Sequence, residues 1–391
     1  MRAFLRRFDY LSFAATCALV AVGTVAIWSA GNARAEAVFH SMWLDNLVTA
    51  AFGFVLYFLL AAVDYRRILD FFALPGYVVS IACLTAVLVV GTSVYGGRRW
   101  LWFFQPSEIS KLFVISLSAW LFGRPAVPFL GMPTSGFRSF LLLALVVGVP
   151  TALILAEPDL GTALTLLPAV AVMALAAGVW RKGLLAIAAV AGVAALLVLG
   201  AVYEAERPGV SSERREQIMR FVPLKPHQTR RVKVFLFPEE DSRGAGYNLK
   251  QAKISIGSGG FSGKGIGRGE TNHLKYLPQA ISMNDFIFCV WAEETGFVGS
   301  VSLLALFAAV LLGGCRSAAS SDDGRGRLLA LGVATLIFAH VYVNIAMSIG
   351  LVPITGLPLP FVSSGRTFLV TAMCGLGLVQ SVTIHREVQS A

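Results

Sequence analysis

Apolar runs of about 20 residues recur along this chain from end to end. Each is long enough to cross a ~30 Å hydrocarbon layer as a helix. A helix satisfies its own backbone polar groups in lipid, so such a chain can fold only as a bundle of membrane helices. Ten spans are expected, at about 10–30, 42–62, 73–92, 106–123, 139–157, 160–179, 183–203, 285–313, 328–350 and 362–383. Composition agrees, with 56% of the 391 residues hydrophobic and 14% charged, where a soluble domain carries roughly 25% charged. The expectation is an all-α integral membrane protein. Residues 1–391 form a single polytopic domain, and residues 204–284 form a large extracytoplasmic loop between spans seven and eight. The first run reads as an uncleaved anchor, because further spans follow it.

An even number of spans puts both termini on one side. Short segments on that side hold Arg2, Arg6, Arg7, Arg66, Arg67, Arg124, Arg138, Arg181, Lys182, Arg316, Arg325, Arg327 and Arg386. The opposite short loops hold Arg34, Arg98 and Arg99, with Arg366 just inside the last span. Basic short loops stay cytoplasmic, so both termini are expected inside and loop 204–284 outside. That loop has 14 Lys/Arg against 8 Asp/Glu. A basic outward surface suits membrane lipids or a lipid diphosphate, and nucleic acid is a poor partner there. The five cysteines lie in or beside apolar runs with no C-x-x-C, which implies neither a disulfide framework nor a thiolate metal site. Within the loop, Ser211 is a candidate cap for a helix over 211–221. The segment 316–327 reads as a flexible connector.

Four polar clusters interrupt the apolar pattern on the outer side. Arg98, Arg99 and Trp100 precede Gln105, Ser107, Glu108 and Lys111. Glu108 and Lys111 share one helical face, as a structural ion pair or as the wall of a headgroup cavity. Glu157 and Asp159 sit in a tight turn between two spans. They could bind a divalent cation or a sugar, and Asp159 could equally cap the next span. Asp285 stands where the long loop re-enters an apolar run, eight residues ahead of Glu293. It is either a helix N-cap or a working carboxylate, since an unpaired one at that depth costs several kcal/mol. Pro353–Arg366 is a non-helical approach to the last span, either a plain interfacial turn or a cavity wall. In the glycine run 256–269, Lys264 and Arg268 could cradle a diphosphate, or the run could simply fold tightly over the membrane. It is not a Walker A loop, and the five histidines are dispersed with no H-E-x-x-H.

Taken in order, these segments resemble the SEDS family of peptidoglycan polymerases, RodA and FtsW. The resemblance rests on Arg98-Arg99-Trp100 with Gln105-Pro106-Ser107-Glu108 and Lys111, and on Glu157-Pro158-Asp159-Leu160-Gly161-Thr162. It continues through Ile256–Gly260 with Lys264-Gly265, Leu277-Pro278, Asp285–Phe288, Glu293-Glu294 with Gly296, and Gly356–Pro360. Phe237-Pro238-Glu239, Gly246-Tyr247-Asn248 and Gly263-Lys264-Gly265 resemble the RodA form of the loop more than the FtsW form. The chain departs from the family pattern at Gln279, Asn284 and Ser363-Ser364-Gly365-Arg366-Thr367.

The resemblance implies a multi-pass enzyme of the bacterial cytoplasmic (inner) membrane that polymerises lipid II during elongation. FtsW-like division activity, a lipid II flippase and a scaffold are the alternatives. Asp285 would be the general base. Arg98, Arg99, Lys111 or Lys264 would stabilise the leaving undecaprenyl diphosphate, alone or with a divalent cation, Mg or Mn. Trp100, Gln105, Ser107, Glu108, Glu157 and Asp159 would line the substrate site. The implied partners are a class B penicillin-binding protein, lipid II and the lipid-linked glycan.

Overall fold

The computed structural model describes residues 2–32, 39, 41–94, 97–102, 104–207, 209–222, 224–241, 244–270 and 276–386. Arg34, His40, Phe103 and His273 lie outside the described residues, as does the side chain of His227. Short α1 (Arg2–Arg7) leads into α2 (Tyr10–Asn32), α3 (Met42–Ala62) and α4 (Tyr65–Val90). An antiparallel hairpin of β1 (Thr92–Val94) and β2 (Gly97–Trp100) precedes α5 (Pro106–Phe122), α6 (Phe137–Ala156), α7 (Leu160–Ala177) and α8 (Arg181–Glu206). The long loop carries α9 (Ser212–Met219), α10 (Pro226–Leu236), α11 (Ala245–Ser258) and α12 (Gln279–Asn284). The chain ends with α13 (Ile287–Ala319), α14 (Gly324–Ile349) and α15 (Arg366–His385).

Among the described residues, nine helices are long and apolar enough to cross a membrane. The tenth expected span is α5, whose 17 residues reach about 26 Å. It is enclosed along most of its length, which suits a helix that carries charge. α14 packs against α5, α7, α13 and α15, and α15 packs against α3. α8 is the most lipid-exposed span. Close approaches need small residues: a Cβ on Gly23 would meet the Phe361 carbonyl oxygen at 2.5 Å.

Three expectations are corrected. The segment 316–327 is not a loose connector. α13 runs on to Ala319, and Asp323 caps α14 by accepting from the Arg325 amide at 3.1 Å. Asp323 also holds Arg66 at 3.3 Å, so charges lock this turn. The last span begins at Arg366 rather than 362. The Ser363 hydroxyl accepts from the Leu359 amide at 2.8 Å and donates to the Asn284 carbonyl at 2.6 Å, which keeps this stretch out of the helix. The glycine run begins inside α11, where Ile256-Gly257-Ser258 is helical.

α13 is interrupted at Gly296, whose φ of 65° and ψ of −158° are non-helical. In an unbroken helix the amides of Phe297 and Val298 would donate to the carbonyls of Glu293 and Glu294. Here they donate to the carbonyls of Gly260 and Phe261, at 2.9 and 3.2 Å. The Glu293 and Glu294 carbonyls accept instead from the amides of Lys264 and Gly265, at 3.0 and 2.9 Å. The glycine-rich loop thus replaces both lost bonds. Leaving those groups bare inside a membrane would cost several kcal/mol each.

Candidate active site

Asp285 directly follows α12 and precedes α13. Its backbone is helical (φ −76°, ψ −36°), and Phe286 takes the N-cap position without a side-chain cap. The N-cap reading of Asp285 is therefore corrected: its carboxylate is not spent on the backbone of α13. Asn284 Nδ2 donates to Asp285 Oδ1 at 3.1 Å, and Asn344 Nδ2 holds the Asp285 carbonyl at 3.0 Å. Asn344 also donates to the Leu357 carbonyl at 2.7 Å. One buried amide on α14 so ties Asp285 to the proline-rich approach to α15. A Cβ on Gly356 would lie 3.5 Å from Asp285 Oδ2. That segment is a wall of the site, with Leu357, Leu359 and Phe361 buried behind it.

Two guanidinium groups act on Asp285. Arg231, on α10 of the long loop, donates from Nη1 to the Thr355 carbonyl at 3.0 Å. Arg99, on β2, donates to the carbonyls of Glu157 at 3.3 Å and Pro158 at 2.5 Å. Burial pushes the Asp285 carboxyl up to about 6, against the opposing pull of Arg231 and Arg99. Burial, then Arg99, draws the Arg231 guanidinium below its ordinary value, while Asp159 and Asp285 pull it back up. Two cations and two carboxylates therefore face one space. Asp285 itself remains partly accessible.

Strand geometry divides the paired arginines. Successive residues on a strand point to opposite faces. Arg99 reaches the turn between α6 and α7, while Arg98 is exposed on the other side. Trp100 pairs with Thr92 in the hairpin.

Asp159 is both the cap and the network residue. Its Oδ1 accepts from the Thr162 amide at 3.2 Å, capping α7. Its Oδ2 accepts from the Thr162 hydroxyl at 2.8 Å and from Gln105 Nε2 at 2.9 Å. Gln105 also donates to the buried Ser107 hydroxyl at 3.1 Å. Deeper in, Lys111 Nζ lies 2.7 Å from Glu108 Oε2 and 2.8 Å from His340 Nε2. Thr162 Oγ1 bridges from Glu108, at 3.4 Å, to Asp159. Glu108 and Lys111 are a buried ion pair beneath the site, so Lys111 is committed to protein partners.

Glu157 is different. It is fully buried, and among the described residues neither carboxylate oxygen has a hydrogen-bond partner. Burial pushes it up to about 8, with Asp159 adding to the shift and Arg99 opposing it.

Lys264 does not join this cluster. Its Nζ lies 2.9 Å from Glu293 Oε1 and 3.5 Å from Glu270 Oε2. Glu293 is buried and also accepts from the Ser255 hydroxyl at 3.0 Å and the Glu270 amide at 2.9 Å. The neighbouring Glu294 accepts from the Ser29 hydroxyl and from the amides of Gly267 and Gly269. The glycine run does converge on anions, but they are the protein's own carboxylates.

Sequence reasoning missed Arg231, His340 and Asn344. Arg231 follows Arg230 in a charged loop, and only the fold turns one inward and leaves the other exposed. The polar pair on α14 carried a readable signal, since His340 and Asn344 are four apart in an apolar span.

The FtsW/RodA/SpoVE family model, described as a cell cycle protein, matches residues 10–388. The chain is 34% identical over 378 residues to the peptidoglycan glycosyltransferase MrdB of Escherichia coli, covering 95% of this chain and 92% of that one. It is 30% identical to the peptidoglycan glycosyltransferase RodA of Treponema pallidum, covering 97% and 98%. A solved chain from a peptidoglycan synthase complex that coordinates polymerization and crosslinking matches with a TM-score of 0.73 and 31% identity, covering 97% and 98%. This multi-pass membrane protein belongs to the FtsW/RodA/SpoVE family.

Proposed function

We propose that this protein is a peptidoglycan glycosyltransferase that polymerises lipid II at the outer face of the bacterial cytoplasmic membrane, with Asp285 as its general base. The observation that carries this reading is the partly accessible Asp285 carboxylate facing Arg231 and Arg99. A carboxylate raised to about 6 is ionised at pH 7 and still basic enough to take a hydroxyl proton as the bond forms.

In the reaction, the 4-hydroxyl oxygen of the acceptor GlcNAc attacks C1 of the donor MurNAc. The new C1–O4 bond forms as the bond from C1 to the diphosphate oxygen breaks. Asp285 receives the hydroxyl proton, and undecaprenyl diphosphate departs with the electron pair. Arg99 and Arg231 are fixed by carbonyl contacts before substrate arrives, so they stabilise the leaving charge with little reorganisation. Gln105, braced by Ser107 and Asp159, offers a polar group beside them for sugar hydroxyls.

The orphaned carboxylate of Glu157, with Asp159 beside it, fits a divalent cation of the Mg or Mn type. Among the described residues no three Asp, Glu, His or Cys side chains form a ready cage. Water and substrate phosphate would complete the coordination, as is usual for Mg. Such an ion would add charge stabilisation at the diphosphate.

The RodA-like loop segments favour a role in elongation, and a class B penicillin-binding protein is the expected crosslinking partner. The arginine-rich short segments support a cytoplasmic location for both termini. The test is lipid II polymerisation by the purified protein with its cognate penicillin-binding protein. Wild type is expected to make glycan strands and Asp285→Asn none. Strands from both would remove Asp285 from the base role. Strands from neither, with folded protein, would favour transport or scaffolding.

A further inference from the structure

We infer that Lys264 is a positioning residue of the glycosyl-transfer site, acting through Glu293 to hold the outer end of α13 and thereby Asp285, and not a ligand of the substrate diphosphate. This rests on the polymerase reading above.

The argument begins at the break in α13. The first stretch of this helix, from Ile287 to Thr295, loses two rungs of its own ladder at Gly296, and Trp291 Nε1 crosses the break to the Gly299 carbonyl at 3.1 Å. The glycine-rich loop makes up the loss, since its residues 260, 261, 264 and 265 supply four replacement backbone contacts. The fit is tight: a Cβ on Gly263 would meet the Glu294 carbonyl oxygen at 2.2 Å, and one on Gly296 would meet the Gly263 amide at 2.4 Å. Both glycines also have positive φ, at 79° and 65°.

Two carboxylates fasten that splice: Glu294 takes the Gly267 and Gly269 amides, and Glu293 takes Lys264. Glu293 is 1% exposed, and Lys264 is its cation. The same carboxylate binds Ser255 of α11 and the Glu270 amide, so it gathers three parts of the long loop. Asp285 lies eight residues ahead of Glu293 on the segment so held. Without Lys264, a buried carboxylate would lose a cation held at 2.9 Å, which favours its protonation or outward movement. Either response weakens the loop's hold on the segment that begins at Asp285, which Asn344 and Glu294 then hold with less support.

A diphosphate ligand would look different. It would share the space of Asp285 and bring its charge there, whereas the Lys264 charge is held by Glu293 and Glu270.

The test compares wild type, Lys264→Met, Glu293→Gln and the double variant in lipid II polymerisation with the partner present. Amide hydrogen exchange is followed over residues 287–298. A positioning role predicts that Lys264→Met lowers kcat about tenfold or more, leaves KM for lipid II within about twofold, and speeds exchange across 287–298. In the double variant Glu293 is neutral and needs no cation, so kcat is expected to return to within about threefold of wild type and exchange to slow again. A KM raised tenfold with kcat kept, or a double variant no better than Lys264→Met, would overturn the inference. If Lys264→Met does not fold, the double variant and Lys264→Arg carry the test: both fold and both work if the role is neutralisation of Glu293. If wild type itself makes no strands, the polymerase reading fails, while the exchange data still report whether Lys264 fastens the splice.

Discussion

At the scale of single residues, a raised carboxyl and two fixed cations define what the site can do. Asp285 is a working base only when ionised. Its value of about 6 predicts that polymerisation falls as pH drops through 6 and levels off above 7, read from initial rates between pH 5 and 8. A flat profile over that range would remove the acid limb from Asp285. In the proposed reaction Arg231 would act on the developing diphosphate charge from a backbone-fixed position. Arg231→Ala is expected to lower kcat by about 10²-fold, the scale of losing one preorganised donor. Asp285 was legible in the sequence because a carboxylate at the start of a span is costly and stands out. Arg231 was not, since nothing in Arg230-Arg231 distinguishes the half-buried guanidinium from its exposed neighbour.

At the scale of elements, the ion pair under the site is a packing device. Glu108 and Lys111 lie on one face of α5 with almost no exposure and touch α14 through His340. Lys111→Met leaves Glu108 charged and unpaired, and is expected to cost about 3–5 kcal/mol, seen as a lower Tm in detergent. Adding Glu108→Gln should restore most of that loss. A double variant as unstable as the single would mean that Lys111 does more than neutralise Glu108. The spacing of three predicted this pair from the sequence. Its third member did not follow, because His340 is 229 residues away and only the packing of α14 against α5 brings it in. The glycine run shows a similar division. Its glycines and charges signalled an anion nest, and the fold revealed that Glu293 and Glu294 already occupy it.

At the scale of the whole molecule, hydrogen bonds between distant segments pin the ends of α5, α7, α13 and α15 near Asp285, and at the far side Arg66–Asp323, Arg325–Asp70 and Arg316–Asp9 pair across helix ends. The orientation is testable with membrane-impermeant maleimide on spheroplasts. A cysteine introduced as Glu213→Cys in α9 is expected to label from outside, and one introduced as Ser320→Cys only after lysis. The reverse pattern would invert the topology and put Asp285 on the wrong side for lipid-linked strands. Hydropathy determined the spans, because the cost of burying charge in lipid acts on each segment by itself, and arginine placement gave the expected side of each loop. The sequence also marked Asp285, Asp159 and Glu108, since each breaks an apolar pattern. Which arginine faces the carboxylate, which lysine is already neutralised and where α13 is spliced depend on contacts between segments far apart in the chain. Those contacts exist only once the helices have packed, and tertiary structure alone decided them.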